Sequence, residues 1–331
     1  MNALRTIVLC AAMMLWTHAC PAAPGDLAGM YSAEQLDEWQ LGIKPLVSQV
    51  LDEDVLPLLS TSIRDALRKK SFGVDVMNSA GDPFSFQRSG ARIEVPTIGL
   101  RLLHDLLLAH VWLETNHFED QSVLYVLALR YRSPGEFPGG RYLPPLEALG
   151  VPKSISEGDL DVTASLRFEK LFRSALFFII AHETCHAIQF TIDDLKHRTT
   201  LEVESEADIF AFMLMARQQV DPSGVTWIFL YRTAWDSGDS DFYAMGSPPS
   251  DLPLAPSARV SLLGEEIRRD PASYFPGVDT TDPRVRALKV IGETLSELGK
   301  QLLPISTRQA GQDIASAVDI AGLAIHRPRT Q

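Results

Sequence analysis

Residues 182–186, His-Glu-Thr-Cys-His, interrupt what is otherwise a plain core helix, and no other feature constrains the fold as tightly. The segment 165–190 runs through LFFIIAHETCHAIQF and is apolar almost all round, the pattern of a helix buried at the centre of a domain. Two imidazoles and a carboxylate buried there without partners would be costly. Spaced four apart, His182 and His186 share one helix face, so both rings can reach one ion while Glu183 projects beside it toward an ion-bound water. A second element must therefore bring a partner to that face.

The next apolar helix, 200–217, supplies one in LEVESEADIFAFMLMA. Glu204 follows His186 by 18 residues, a gap that fits a short connection between packed helices. A catalytic zinc ion takes three protein ligands and keeps a fourth position for water, so the expectation is one Zn2+ held by His182, His186 and Glu204, with Glu183 as general base. Asp208 lies one turn beyond Glu204 on the same face and can accept a hydrogen bond from the outer ring nitrogen of a ligating His, fixing its tautomer and orientation. Glu202 and Glu206 compete for the third-ligand position, but each sits two residues from Glu204 and points off its face. Cys185 is turned away from the two imidazoles and reads as a small packing residue. A developing oxyanion needs a further donor; Arg259, Tyr243, Tyr231 and His197 are the candidates, and spacing singles out none. His104 and His110 are six apart and do not share a face, so with His117 they read as structural.

Elsewhere the pattern predicts a mostly helical α+β fold. Residues 32–67 show helical spacing over two helices, with Ser32 as an N-cap. The turn-rich stretch 78–83 precedes FSFQRSGARIEV, which reads as a β-hairpin ended by Pro96, and 98–114 is a strongly apolar helix. Residues 133–158, dense in Pro and Gly, read as a long surface insertion of the kind that overhangs a cleft. A second Pro-rich stretch at 246–258 precedes helices near 284–303 and 310–325. The expected organisation is a leader at 1–22, a helical segment at 23–80, a catalytic unit at 81–265 and C-terminal helices at 266–331.

The leader reading rests on Arg5, the apolar run TIVLCAAMMLW (6–16) and small residues before a cleavage point in 19–23. Lipid attachment at Cys20 competes with it, but the Leu usually found three positions earlier is missing. An exported, periplasmic or secreted protein is expected. Cleavage removes Cys10 and Cys20 and leaves Cys185 alone, so an internal disulfide is excluded and the apolar core or a metal must supply the stability. No later stretch is long and apolar enough to span a bilayer. A formal charge of -12 with thinly spread Lys and Arg argues against a nucleic-acid partner.

HETCH followed by ESEAD resembles the HExxH and ExxAD signatures of gluzincin peptidases, particularly the group of CAAX prenyl proteases, bacterial heat-shock membrane proteases and soluble minigluzincins. The likeness covers about 92–263 and includes RIEVPTIGLRLLHDLL (92–107), similar to the extended segment and helix that precede the metal helix in that group. It implies a zincin-like core with a small antiparallel sheet, a single zinc, and endopeptidase activity on a protein or peptide substrate. The chain departs from the group by keeping Arg259 without a His-Pro segment before it, and by lacking membrane helices. The competing expectation is a catalytically idle zinc-binding protein of the same fold, serving as a partner-binding module.

Overall fold

The structure, a computed structural model, describes residues 29–78, 83–89, 91–156, 158–192, 200–236, 256–275, 277–305 and 308–326, together with Leu27 and Pro328. The leader, His197, Tyr243 and most of the second Pro-rich stretch lie outside the described residues. Ser32 starts helix α1 (Ala33–Gln49) as read from sequence: its side chain accepts the Gln35 N–H at 3.1 Å, and the Gln35 side chain accepts the Ser32 N–H at 2.8 Å. The helix continues through a π turn (Val50–Val55) and a 3-10 turn (Leu56–Leu58) before α2 (Thr61–Lys69), which Ser60 caps.

Strands β1 (Gly73–Met77), β2 (Gln87–Ser89) and β3 (Arg92–Pro96) form one small sheet in the order β1-β3-β2. The β2–β3 hairpin is antiparallel, but β1 pairs with the other edge of β3 in parallel, Val74 opposite Ile93 and Val76 opposite Val95. The sheet is thus mixed, which corrects the expectation of an antiparallel one. The cause is local: GVDVM alternates, burying Val74 and Val76, and its partner is the already paired and most apolar strand. Helix α3 (Thr97–Thr115) begins directly after Pro96, buries Leu100, Leu103, Leu106 and Leu107 completely, and is followed by α4 (Ser122–Tyr131).

The 133–158 segment is less a surface excursion than its Pro and Gly content implies. Between its turns it forms α5 (Pro145–Ala148) and α6 (Lys153–Ser156), and it buries Phe137, Tyr142, Leu146 and Leu149. Tyr125 donates to the Leu143 carbonyl (2.6 Å) and Tyr142 to that of Arg132 (2.9 Å), so buried hydroxyls satisfy the segment's backbone.

Helix α7 (Val162–Ile192) is the axis of the molecule, packed against α3, the π turn, α8 (Thr200–Gln218) and α9 (Ser223–Asp236). Asp161 opens it by accepting the N–H groups of Thr163 and Ala164 at 2.9 and 3.0 Å. Gly224 lets α9 approach so closely that a Cβ there would stand 2.0 Å from the Leu171 carbonyl oxygen. Helices α10 (Pro256–Arg269) and α11 (Pro283–Leu302) meet through Gly264 and Gly292, where a Cβ would reach the opposing backbone at 2.4 and 2.8 Å. Helix α12 (Arg308–Ala317) packs on α4, where Arg132 donates to the carbonyls of Ala315, Ser316 and Val318. Among the described residues no helix is long and apolar enough to cross a membrane.

Candidate metal centre

The middle of α7 is all core, with Ala175, Leu176, Ile180 and Ala181 fully buried, and this holds the backbone of the next turn rigid. His182, Glu183 and His186 follow, and their ligand atoms lie within 4.8 Å of one another. The two rings stand nearly perpendicular, 89° with centroids 4.6 Å apart, and aim Nε2 at a common point, the nitrogens being 3.0 Å from each other. Helix α8 brings Glu204 to the same point: Oε2 is 3.5 Å from Nε2 of His182 and Oε1 is 3.3 Å from Nε2 of His186. Donors around one tetrahedral ion at about 2.0–2.1 Å are separated by about 3.3–3.4 Å, and the two imidazole nitrogens, 3.0 Å apart, each have one of the two Glu204 oxygens at a comparable distance. The buried His182, Glu183 and His186 group could hold a metal ion, and Glu204 adds an anionic oxygen to it.

Each donor is held from behind. Asp208 Oδ1 is 3.0 Å from Nδ1 of His182, the position expected for it from sequence. Gln189 holds His186, its Oε1 2.9 Å from Nδ1, while its amide nitrogen donates to Glu206 (2.7 Å) and to the Val203 carbonyl (3.2 Å). Arg259, from α10, forks onto Asp208 through Nε (3.1 Å) and Nη2 (2.8 Å) and reaches Oε2 of Glu204 through Nη1 (3.1 Å). Arg259 therefore stands behind the ligands, tying α10 to α8.

The electrostatics follow from this packing. Burial opposes the charge on Glu204, but the two imidazoles and Arg259 outweigh it and hold the carboxyl well below its usual range. Asp208 is also held low: burial resists, and Arg259 with His182 prevails. Burial alone would lower His182, yet Asp208 and Glu204 push it up to about 9. Glu183 shifts the other way, since burial raises its carboxyl more than the two imidazoles lower it. A carboxyl whose basicity is increased beside a metal-ligand cluster is suited to accept a proton.

The remaining candidates are dispersed. Tyr231 is fully buried on α9 with its ring against Phe84 and Trp227. His104 lies against Asp105, Phe168 and Phe172, His117 closes α3 in the left-handed region (φ 59°), and Cys185 is buried in packing. Three residues of the site escaped sequence reasoning. Gln189 had a readable signal, being three positions past His186 on the same face. Glu206 was weighed only as a rival ligand, whereas its oxygen anchors Gln189. Arg232, whose positive charge bears on Glu183 and which donates to the Phe84 carbonyl at 2.5 Å, comes from another helix and had no local mark. No family model, curated protein or solved structure matches the chain.

Proposed function

We propose that the protein is a zinc-dependent endopeptidase of the gluzincin type, exported from the cytoplasm and acting on proteins or peptides of the cell envelope or beyond it. The observation that carries this reading is the convergence of two Nε2 atoms and a carboxylate at separations of 3.0, 3.3 and 3.5 Å, with a second, basic carboxylate next to them. Imidazole nitrogens and a carboxylate are donors that suit zinc, and three protein ligands would leave a position for water.

When bound, zinc would acidify its water and polarise the scissile carbonyl. Glu183 would serve as the general base for the attacking water and pass its proton to the leaving amine; burial raises its carboxyl in the direction that role needs. Asp208, 3.0 Å from Nδ1 of His182, would hold that ring with Nε2 forward once it is neutral, and Gln189 is placed to do the same for His186. Arg259 holds Glu204 and Asp208 ionised, while His182, held up to about 9 by those acids, has to give up a proton when a cation binds.

The test joins metal analysis to cleavage. Purified mature chain and Glu183→Gln are each assayed for zinc and for hydrolysis of casein and a peptide library. Both should carry one zinc per chain, and the variant should lose cleavage by about 10²–10⁴-fold. Equal cleavage by the two would remove Glu183 from its role. Zinc without cleavage in either would leave the partner-binding alternative.

A further inference from the structure

Far along the chain from the candidate metal centre, α1, α3 and the 133–158 segment line an open cavity of about 810 Å³ that shares no lining residue with that centre. Arg101 is a cation held in place on its wall. Its Nε is 3.0 Å from Asp105, a carboxylate 1% exposed that also accepts from the Tyr31 hydroxyl (2.9 Å) and lies 2.9 Å from Nδ1 of His104. Its guanidinium carbon lies 5.4 Å from the Trp39 ring centroid and 5.8 Å from that of Tyr31. Asp105 and two aromatic faces thus fix the plane of the guanidinium through one edge only. Among the described residues its two Nη groups have no protein partner, and the side chain is 24% exposed. An arginine oriented by a buried carboxylate, with its fork left over, is the arrangement that receives a planar anion bidentately.

The surroundings select the anion. Glu38, Glu147 and Lys153 also line the cavity, and Glu147 is already paired with Arg141 at 3.0 Å. With Asp105 and Glu38 on the wall, the cost of bringing in an anion grows with its charge, so a doubly charged phosphate is disfavoured relative to a single carboxylate, whose two oxygens match the free fork. Ile43, Leu146 and Val151 offer apolar wall for the rest of the ligand.

We infer that this cavity binds an organic carboxylate carried on an apolar body, gripped by the Nη pair of Arg101. Two sources share that chemistry, a free organic or amino acid and the C-terminus of a peptide. The site is independent of the zinc reading, and its test needs no turnover.

Full-length Glu183→Gln protein, chosen so that no peptide is cut, is titrated calorimetrically with N-acetyl-leucine and its amide, and with an apolar pentapeptide in free-acid and amidated forms. The acid of at least one pair should bind about tenfold or more tightly than its amide. Arg101→Gln should abolish that preference. A stronger pentapeptide acid identifies peptide C-termini as the source, and equal acids identify free carboxylates. Because losing Arg101 leaves Asp105 without its cation, a second variant guards against misfolding: Gly42→Trp projects from α1 into open space in the cavity and leaves the Arg101–Asp105 pair untouched. It should block every probe. The inference is overturned if no acid binds, if acid and amide bind alike, or if Arg101→Gln or Gly42→Trp binds as the parent does.

Discussion

His110 and His182 are both buried imidazoles with a carboxylate at each ring nitrogen, and they differ in where the nitrogens lead. His110 has Asp120 at Nδ1 (2.8 Å) and Glu114 at Nε2 (3.2 Å), and Glu114 also pairs with Arg167, so the ring is clamped between two acids on opposite edges. His182 spends only Nδ1 on Asp208; its Nε2 meets His186 and Glu204 at a shared point. Burial beside acids is common to both clusters. What separates a candidate metal centre from a core histidine set between acids is a second imidazole arriving at the same point.

Several measurements can break or sharpen that contrast. The largest effect is expected from His186→Ala, which should reduce bound zinc to background, whereas His110→Ala should keep a full equivalent; metal analysis after dialysis decides. Asp208→Asn should leave the three donors in place but weaken zinc binding by about 10–100-fold, measured by competition with a chelator. Gly264→Leu forces α10 from α11 and should destabilise the fold by about 1–3 kcal/mol in denaturant melts. Because α10 carries Arg259, some zinc affinity should go with it.

The smallest effect concerns the clamped cluster. Burial opposes the Asp120 charge, but His110 and Ser122 more than compensate and its carboxyl is held below the usual value. A depressed folded-state pKa contributes stability that is complete above the unfolded carboxylate value of about 4 and is lost as pH falls through the folded value. Asp120→Asn should therefore cost roughly 1 kcal/mol near neutrality and flatten the acid limb of the stability profile. An unchanged limb in thermal melts from pH 6 downward, a range set by that value of about 4, would show that the clamp contributes nothing.

The meeting of His182, His186, Glu204 and Asp208 was legible because helix geometry converts spacing directly into direction. Four residues apart put His182 and His186 on one face, and one further turn put Asp208 behind Glu204; packing α7 against α8 did the rest. What lay hidden depended on contacts between distant segments. Arg259 meets Asp208 across 51 positions, and the approach of its helix is set by glycines on α10 and α11 rather than by anything in its own neighbourhood. Strand β1 escaped for a similar reason. GVDVM is too short to declare itself, and its register, Gly73 opposite Arg92, exists only once the hairpin offers a free edge. Pro and Gly at 133–158 marked turns correctly but masked the apolar residues between them, which the fold uses as core.

The bridge from Arg259 to Asp208 also sets an order of events during synthesis. His182, His186, Glu204 and Asp208 all lie within 27 residues of chain, and closing so small a loop costs little entropy. They leave the ribosome well before Arg259 does. A nascent chain ending at residue 236 already carries every donor, yet Asp208 then answers to His182 alone, and only docking of the last helices adds the guanidinium that fastens both acids. Gathering of the four side chains and completion of the fold are in this sense separable steps, the first written locally and the second supplied by the C-terminal end.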